Sequence, residues 1–141
     1  MELVGVGTDL VDVERFRRVV SRTPRLVTRV FTAAELADAR RRRDPTEPLA
    51  ARFAAKEAAM KALGVGIGAV AMRDLEVVRE VSGRPRLVLH GTAARRAQDA
   101  GVTDLLVTMS HTATAAVATV LAVGAGTDRA GVDRAGTERR P

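Results

Sequence analysis

Two carboxylates and two lysines stand where phosphate or metal chemistry would use them. Asp9 closes a short apolar stretch near the amino terminus, and Glu57 lies inside Arg52-Phe53-Ala54-Ala55-Lys56-Glu57-Ala58-Ala59-Met60-Lys61-Ala62-Leu63-Gly64. That segment holds both lysines of a chain with 23 lysines and arginines together, so every other basic side chain is an arginine. At about 100° per residue on a predicted helix, Leu49, Phe53, Met60 and Leu63 form an apolar stripe, and Ala51, Ala55, Ala58, Ala59 and Ala62 form a small-residue back. Glu57 falls on the flank of the stripe. A carboxylate there needs an ion pair, a hydrogen bond or a metal, because leaving it bare costs roughly several kcal/mol. Lys61 at i+4 offers the plainer account, an intrahelical ion pair worth about 0.2–0.5 kcal/mol. The wheel alone leaves both open.

The elements that must position these groups are legible in outline. Glu2 to Thr8 alternates and reads as a strand with close backbone approach at Gly5 and Gly7, ended by Asp9. Asp12 is the expected N-cap of a helix from Val13 to Ser21, stopped by Pro24. Thr32-Ala33-Ala34-Glu35 is a capping-box pattern opening a helix toward Arg43. Asp44 to Pro48 reads as a loop, and the helix carrying Glu57 ends at Gly64. Gly64, Gly66 and Gly68 follow as a flexible loop, a weak phosphate signal because it closes a helix instead of opening one. Met72–Val81 and Arg86–Leu89 are expected to form a hairpin around Ser82-Gly83-Arg84-Pro85. A helix over Thr92–Ala100 and strands over Leu105–Met109 and Ala115–Val123 complete an α+β domain with a small antiparallel sheet. His111 falls where one of those strands breaks, and His90 ends another.

Length and composition bound the function classes. One domain is expected from 141 residues, and 46% apolar residues suffice for a core. The absence of cysteine excludes disulfides, zinc thiolates and thiol nucleophiles. The amino terminus has no basic leader pattern and no apolar run reaches the roughly 20 residues of a membrane span, so a cytoplasmic location without membrane is expected. The net charge of +6 is concentrated: Arg15, Arg17, Arg18, Arg22, Arg25 and Arg29 occur with no acidic residue among them. Such a surface suits an anionic partner. Phe16, Phe31 and Phe53 are the only aromatics, too few for a base-stacking platform, so nucleic acid is disfavoured. A basic nucleic-acid-binding module without catalysis, or a solvated helix face, would still account for the arginines but would leave Asp9, Glu57 and His111 idle. Residues 124–141 repeat Ala-Gly-Thr/Val-Asp/Glu-Arg with almost no large apolar group and read as a disordered tail beyond a catalytic unit of residues 1–123.

Three blocks together carry a resemblance. Gly5 to Arg15, then Arg52 to Ala58 with Lys61 to Gly68, then Val107 to Thr112, resemble in order and spacing the small holo-acyl-carrier-protein synthases of the 4′-phosphopantetheinyl transferase superfamily. The resemblance implies a homotrimer with coenzyme A between subunits, and transfer of phosphopantetheine to a serine of an acidic acyl carrier protein, with fatty acid biosynthesis as the usual setting. It implies that Asp9 and Glu57 hold Mg²⁺, that Lys61 serves the diphosphate, and that the serine proton leaves by way of Glu57, either directly or through a metal-bound water. It places Arg52 and His111 near the coenzyme's 3′-phosphate. Gly64 and Gly66 fall in its coenzyme-binding loop, and Ser82, Gly83 and Pro85 in the turn beside the adenine. Arg15, Arg22 and Arg25 match positions facing the carrier protein.

Overall fold

A computed structural model of the chain describes residues 1–125, so the proposed tail lies outside the described residues from 126 onward. The fold is α+β, as expected. Strand β1 (Glu2–Asp12) runs four residues past the expected end at Thr8, because β5 (Ala115–Gly124) supplies cross-strand partners down to Asp12 opposite Ala115. Asp9 therefore sits inside a strand and does not end one. Asp12 then caps α1 (Val13–Arg22), its carboxylate accepting from the Arg15 N–H at 2.7 Å. Pro24 does stop α1, but it also opens α2 (Pro24–Val30), a helix not foreseen: proline at a first helical position gives up an N–H that has no partner there anyway.

Helix α3 (Ala33–Ala39) begins with the anticipated capping box, both reciprocal bonds formed, and stops short of Arg43. Helix α4 (Thr46–Ala62) starts inside the expected loop, since Pro48 in its first turn forfeits no intrahelical bond. It ends as predicted at Gly64, whose φ of +69° accompanies bonds from Val65 N to Met60 O and from Gly64 N to Lys61 O. After a short 3₁₀ turn at Met72–Asp74, β2 (Leu75–Arg79) and β3 (Pro85–Leu89) form the predicted hairpin as a separate two-stranded sheet. Helix α5 (Gly91–Asp99) leads to β4 (Val102–His111), longer at both ends than predicted because β5 pairs along its length. His111 ends it.

The main sheet, ordered β1-β5-β4 and antiparallel, carries α4 on one face. Gly5 and Gly7 make that contact: a Cβ at either would collide with the carbonyl oxygens of Ala62 and Ala58 in α4. The alanine side of α4 is consequently not a back. Ala50, Ala54, Ala55, Ala58 and Ala59 are 0% exposed, and the helix is buried nearly all round. Among the described residues nothing covers the opposite face of the sheet, where Val6, Leu10, Leu106, Val117 and Leu121 are exposed side by side in the strand register.

Candidate active site

Strand period and helix period converge on one cleft. Along β1, Gly5, Gly7, Asp9 and Val11 share the face toward α4, so the two glycines that admit the helix also bring the Asp9 carboxylate beside it. Along α4, Glu57 and Lys61 are four residues apart and lie on one face. Asp9 and Glu57 line the same cleft of about 470 Å³, together with Arg15 and an apolar floor of Phe16, Val19, Leu26 and Phe53.

Lys61 does not pair with Glu57. Its ammonium donates to the Thr8 carbonyl at 2.8 Å and to Asp9 Oδ1 at 3.2 Å, across the gap between helix and strand. The intrahelical pair is thus not formed, and among the described residues Glu57 makes no ion pair. Partial burial raises the Glu57 pKa above the usual carboxylate range, the neighbouring Asp9 charge raises it further, and Lys61 offsets part of this. Two carboxylates facing one opening repel each other, an arrangement relieved by a proton or a cation.

The other expected residues divide. Lys56 points away from the cleft: it is fully buried, and its ammonium meets Glu35 on α3 at 2.7 Å. Lys56 and Lys61 therefore do separate work. Gly64 lines a second, polar cleft of about 580 Å³ with Lys61, Arg96 and Asp99, while Gly66 is exposed in the following loop. Arg52 is 1% exposed, donating to Asp38 Oδ2 and to the Pro48 carbonyl, with Nε unpartnered. Its guanidinium borders a small cavity with Arg41, Arg42 and Arg79. His111 Nδ1 lies 3.4 Å from Glu47 Oε2 at the start of α4. Ser82, Gly83 and Pro85 are at the tip of the hairpin, where Gly83 has a φ of +85°. Neither Arg52, His111 nor that tip lines the Asp9–Glu57 cleft, so one copy of the chain does not gather the whole expected coenzyme set.

Of the six clustered arginines, Arg17 is committed to structure: it forks onto Asp44 at 2.9 and 3.3 Å and also reaches Glu14 and Thr46. Arg15 and Arg22 are exposed on α1 and Arg25 on α2, and none of the three makes an ion pair among the described residues. The apolar floor was missed from sequence, although the i, i+3 spacing of Phe16 and Val19 in an arginine-rich helix marks an amphipathic face.

Residues 5–120 match the family described as the 4′-phosphopantetheinyl transferase superfamily. The chain is 49% identical over 122 residues to the holo-[acyl-carrier-protein] synthase of Clavibacter sepedonicus, covering 86% of this chain and 97% of that one. It is 47% identical over 109 residues to the enzyme of the same name from Moorella thermoacetica, covering 77% and 85%. Among solved structures, it resembles the Neisseria meningitidis holo-[acyl-carrier-protein] synthase at a TM-score of 0.79 and 31% identity, covering 86% and 99%. It also resembles a Chronobacterium ammoniagenes ACPS–CoA complex at a TM-score of 0.76 and 32% identity, covering 85% and 96%.

Proposed function

Because the chain belongs to the 4′-phosphopantetheinyl transferase superfamily, on its holo-[acyl-carrier-protein] synthase branch, we propose that it transfers 4′-phosphopantetheine from coenzyme A to a serine of an apo acyl carrier protein, releasing adenosine 3′,5′-bisphosphate. The observation that carries the assignment of the site is the meeting of Asp9 from β1 and Glu57 from α4 on one cleft that the exposed Arg15 also lines, with Lys61 of the same helix bridging to Asp9. The serine oxygen bonds to the β-phosphorus, and the bond from that phosphorus to the bridging oxygen breaks. The bridging oxygen leaves with the adenosine 3′,5′-bisphosphate. Glu57, with no lysine holding it, takes the serine proton on its carboxylate. Lys61, held by Asp9 and the Thr8 carbonyl, presents positive charge to the diphosphate.

Mg²⁺ belongs to the proposal. Asp9 and Glu57 offer only oxygen donors, no third carboxylate or histidine joins them as a ligand group among the described residues, and Asp12 nearby is spent on its cap. That set suits magnesium, which takes one or two carboxylates and completes its shell with water and substrate phosphate. Asp9 and Glu57 would hold the ion, which would neutralise charge at the diphosphate.

Two further readings belong here. The coenzyme set split over several faces of one chain, and the uncovered apolar sheet face, both favour a homotrimer in which neighbouring copies complete each site. The apolar floor bordered by Arg15, with Arg22 and Arg25 also exposed on α1 and α2, favours an acidic carrier-protein helix, charge steering it and the floor receiving its apolar side chains. A carrier of fatty-acid synthesis and a cytoplasmic setting complete the proposal; no helix among the described residues is long and apolar enough to cross a membrane.

The test is release of adenosine 3′,5′-bisphosphate from coenzyme A together with the matching mass gain of an apo carrier protein. Both are expected to require the carrier and Mg²⁺. No release with any apo carrier overturns the transfer, and release untouched by chelation removes magnesium from it.

A further inference from the structure

Asp9 has to serve two cations. The Lys61 ammonium donates to Asp9 Oδ1 at 3.2 Å and to the Thr8 carbonyl at 2.8 Å, so it is anchored on consecutive residues of β1. The same carboxylate is one of the two oxygen-donor groups that would hold a divalent cation. Even on the second oxygen, such a cation stands within the width of one carboxylate from the ammonium, and like charges that close weaken each other's hold. The two side chains decide which contact yields. Asp9 is short, its side chain is 19% exposed, and it rises from the middle of β1 opposite Ala118 of β5, so it has little room to turn. The Lys61 side chain is 54% exposed on a flexible stem in the last turn of α4, and it borders the open polar cleft shared with Gly64, Arg96 and Asp99. An ammonium let go by Asp9 is hydrated there and keeps the Thr8 carbonyl within reach. Glu57 and Arg15 line the cleft without this conflict, since neither makes an ion pair among the described residues.

We propose that Lys61 is a latch on Asp9 that competes with the divalent cation for this carboxylate, and that the exchange of one cation for the other frees the Asp9-bound proton of Lys61 for the diphosphate. The latch rests on Asp9 and Glu57 as magnesium ligands and on the transfer of phosphopantetheine. It adds that Lys61 and the metal are coupled and not independent parts of the site. Lys61 then turns to the diphosphate only where the carboxylate has already been taken, so both positive charges face the phosphates at once. By reciprocity, whatever Lys61 costs the metal in affinity, the metal costs Lys61 in its hold on Asp9.

Mn²⁺ binding to the full chain without coenzyme A, read from the loss of the free-ion electron paramagnetic resonance signal, tests the latch. Lys61→Met keeps the stem and removes the charge at an exposed position, whereas Arg15→Met removes an exposed cation of the same cleft that holds no carboxylate. Lys61→Met is expected to bind Mn²⁺ about tenfold more tightly than wild type, within the range usual for two coupled binding events, and Arg15→Met about twofold or less, because an exposed charge without a contact is screened. Turnover of Lys61→Met falls all the same, and tighter metal with a slower rate is a pair of signs that lost orientation of Asp9 does not give. Glu57→Gln is expected to weaken Mn²⁺ in both the wild-type and the Lys61→Met background. A second readout uses the two lysines of the chain, of which Lys56 is fully buried. With an isotope label at the lysine ε-carbon, Mg²⁺ is expected to make the Lys61 nuclear magnetic resonance signal more mobile and to leave that of Lys56 as it was. Unchanged or weaker Mn²⁺ binding by Lys61→Met, a gain no larger than that of Arg15→Met, Mn²⁺ binding indifferent to Glu57→Gln, or a Lys61 signal as rigid with Mg²⁺ as without it overturns the latch and leaves Lys61 a fixed partner of Asp9. Mn²⁺ bound by none of the proteins removes the magnesium reading and the latch with it, while release of adenosine 3′,5′-bisphosphate judges the transfer separately.

Discussion

Gly7 is the place where a single methyl group should separate fold from activity. A Cβ built there lies 2.8 Å from the amide nitrogen of Ala62 and closer still to the carbonyl oxygen of Ala58, both in the backbone of α4. Neither atom can rotate aside as a side-chain tip would, so Gly7→Ala has to push the helix off the strand by something on the order of 1 Å, a misplacement that can cost about 100-fold in rate. Overpacking of this kind destabilises by about 1–3 kcal/mol. At roughly 4 °C per kcal/mol for a domain of this size, the Tm should fall by about 4–12 °C, leaving the protein folded at room temperature. The rate should suffer more than stability does, because Asp9 on the strand and Glu57 and Lys61 on the helix are separated by that same displacement. Thermal melts by circular dichroism, paired with single-turnover release of adenosine 3′,5′-bisphosphate well below the Tm, read the two effects apart. A variant with wild-type Tm and rate would show that α4 does not rest on the β1 backbone, and the geometry of the cleft would need to be rebuilt.

Glu57→Ala and Asp9→Ala should each lower turnover by about 100-fold or more while the melting temperature holds, since each removes a site carboxylate and not a core side chain; near-normal turnover of Glu57→Ala at saturating Mg²⁺ argues against the site. Charge reversal at Arg15, Arg22 or Arg25 should raise the KM for carrier protein and spare that for coenzyme A, and added salt should imitate it as the Debye length shrinks below about 8 Å; a salt-independent KM would move the docking surface elsewhere. His111→Ala should weaken coenzyme A and leave dephospho-coenzyme A nearly unaffected, whereas Arg52→Ala should lower the Tm as well, because its buried guanidinium holds Asp38 and the Pro48 carbonyl; equal responses to the two coenzymes would refute the 3′-phosphate role of His111. The hydrogen bond from Arg17 lowers the Asp44 pKa from 3.8 to about 2. A folded-state value below the unfolded one means stability that is complete above the unfolded pKa and drains away as pH falls from about 4 to about 2. Melts across that window should show the loss, and Arg17→Met should flatten it.

Local chemistry was legible in the sequence wherever the partner atoms lie within a few residues. Asp12 capping α1, the Thr32–Glu35 box, the Ser82–Pro85 turn and the glycine stop after α4 each satisfy backbone groups nearby, so their residue types alone predict them. The two-residue period also showed the close approach at Gly5 and Gly7, but Asp9 joined their face only in the structure, because β5 carries β1 on to Asp12. Element ends were less legible: β1 and β4 run on because β5 offers partners, and that is a fact about a strand more than a hundred residues from β1. The wheel of α4 misjudged its alanines because it cannot know that two glycines let a sheet come up against them. Long cationic side chains were decided only by the tertiary structure. Lys61 could have reached Glu57 along the helix but reaches Asp9 across the gap, Lys56 turns inward to Glu35, Arg52 to Asp38 and Arg17 to Asp44. A flexible stem with a charged tip takes whichever oxygen the packing brings within reach, and burial strengthens that choice by removing the water that would compete for it.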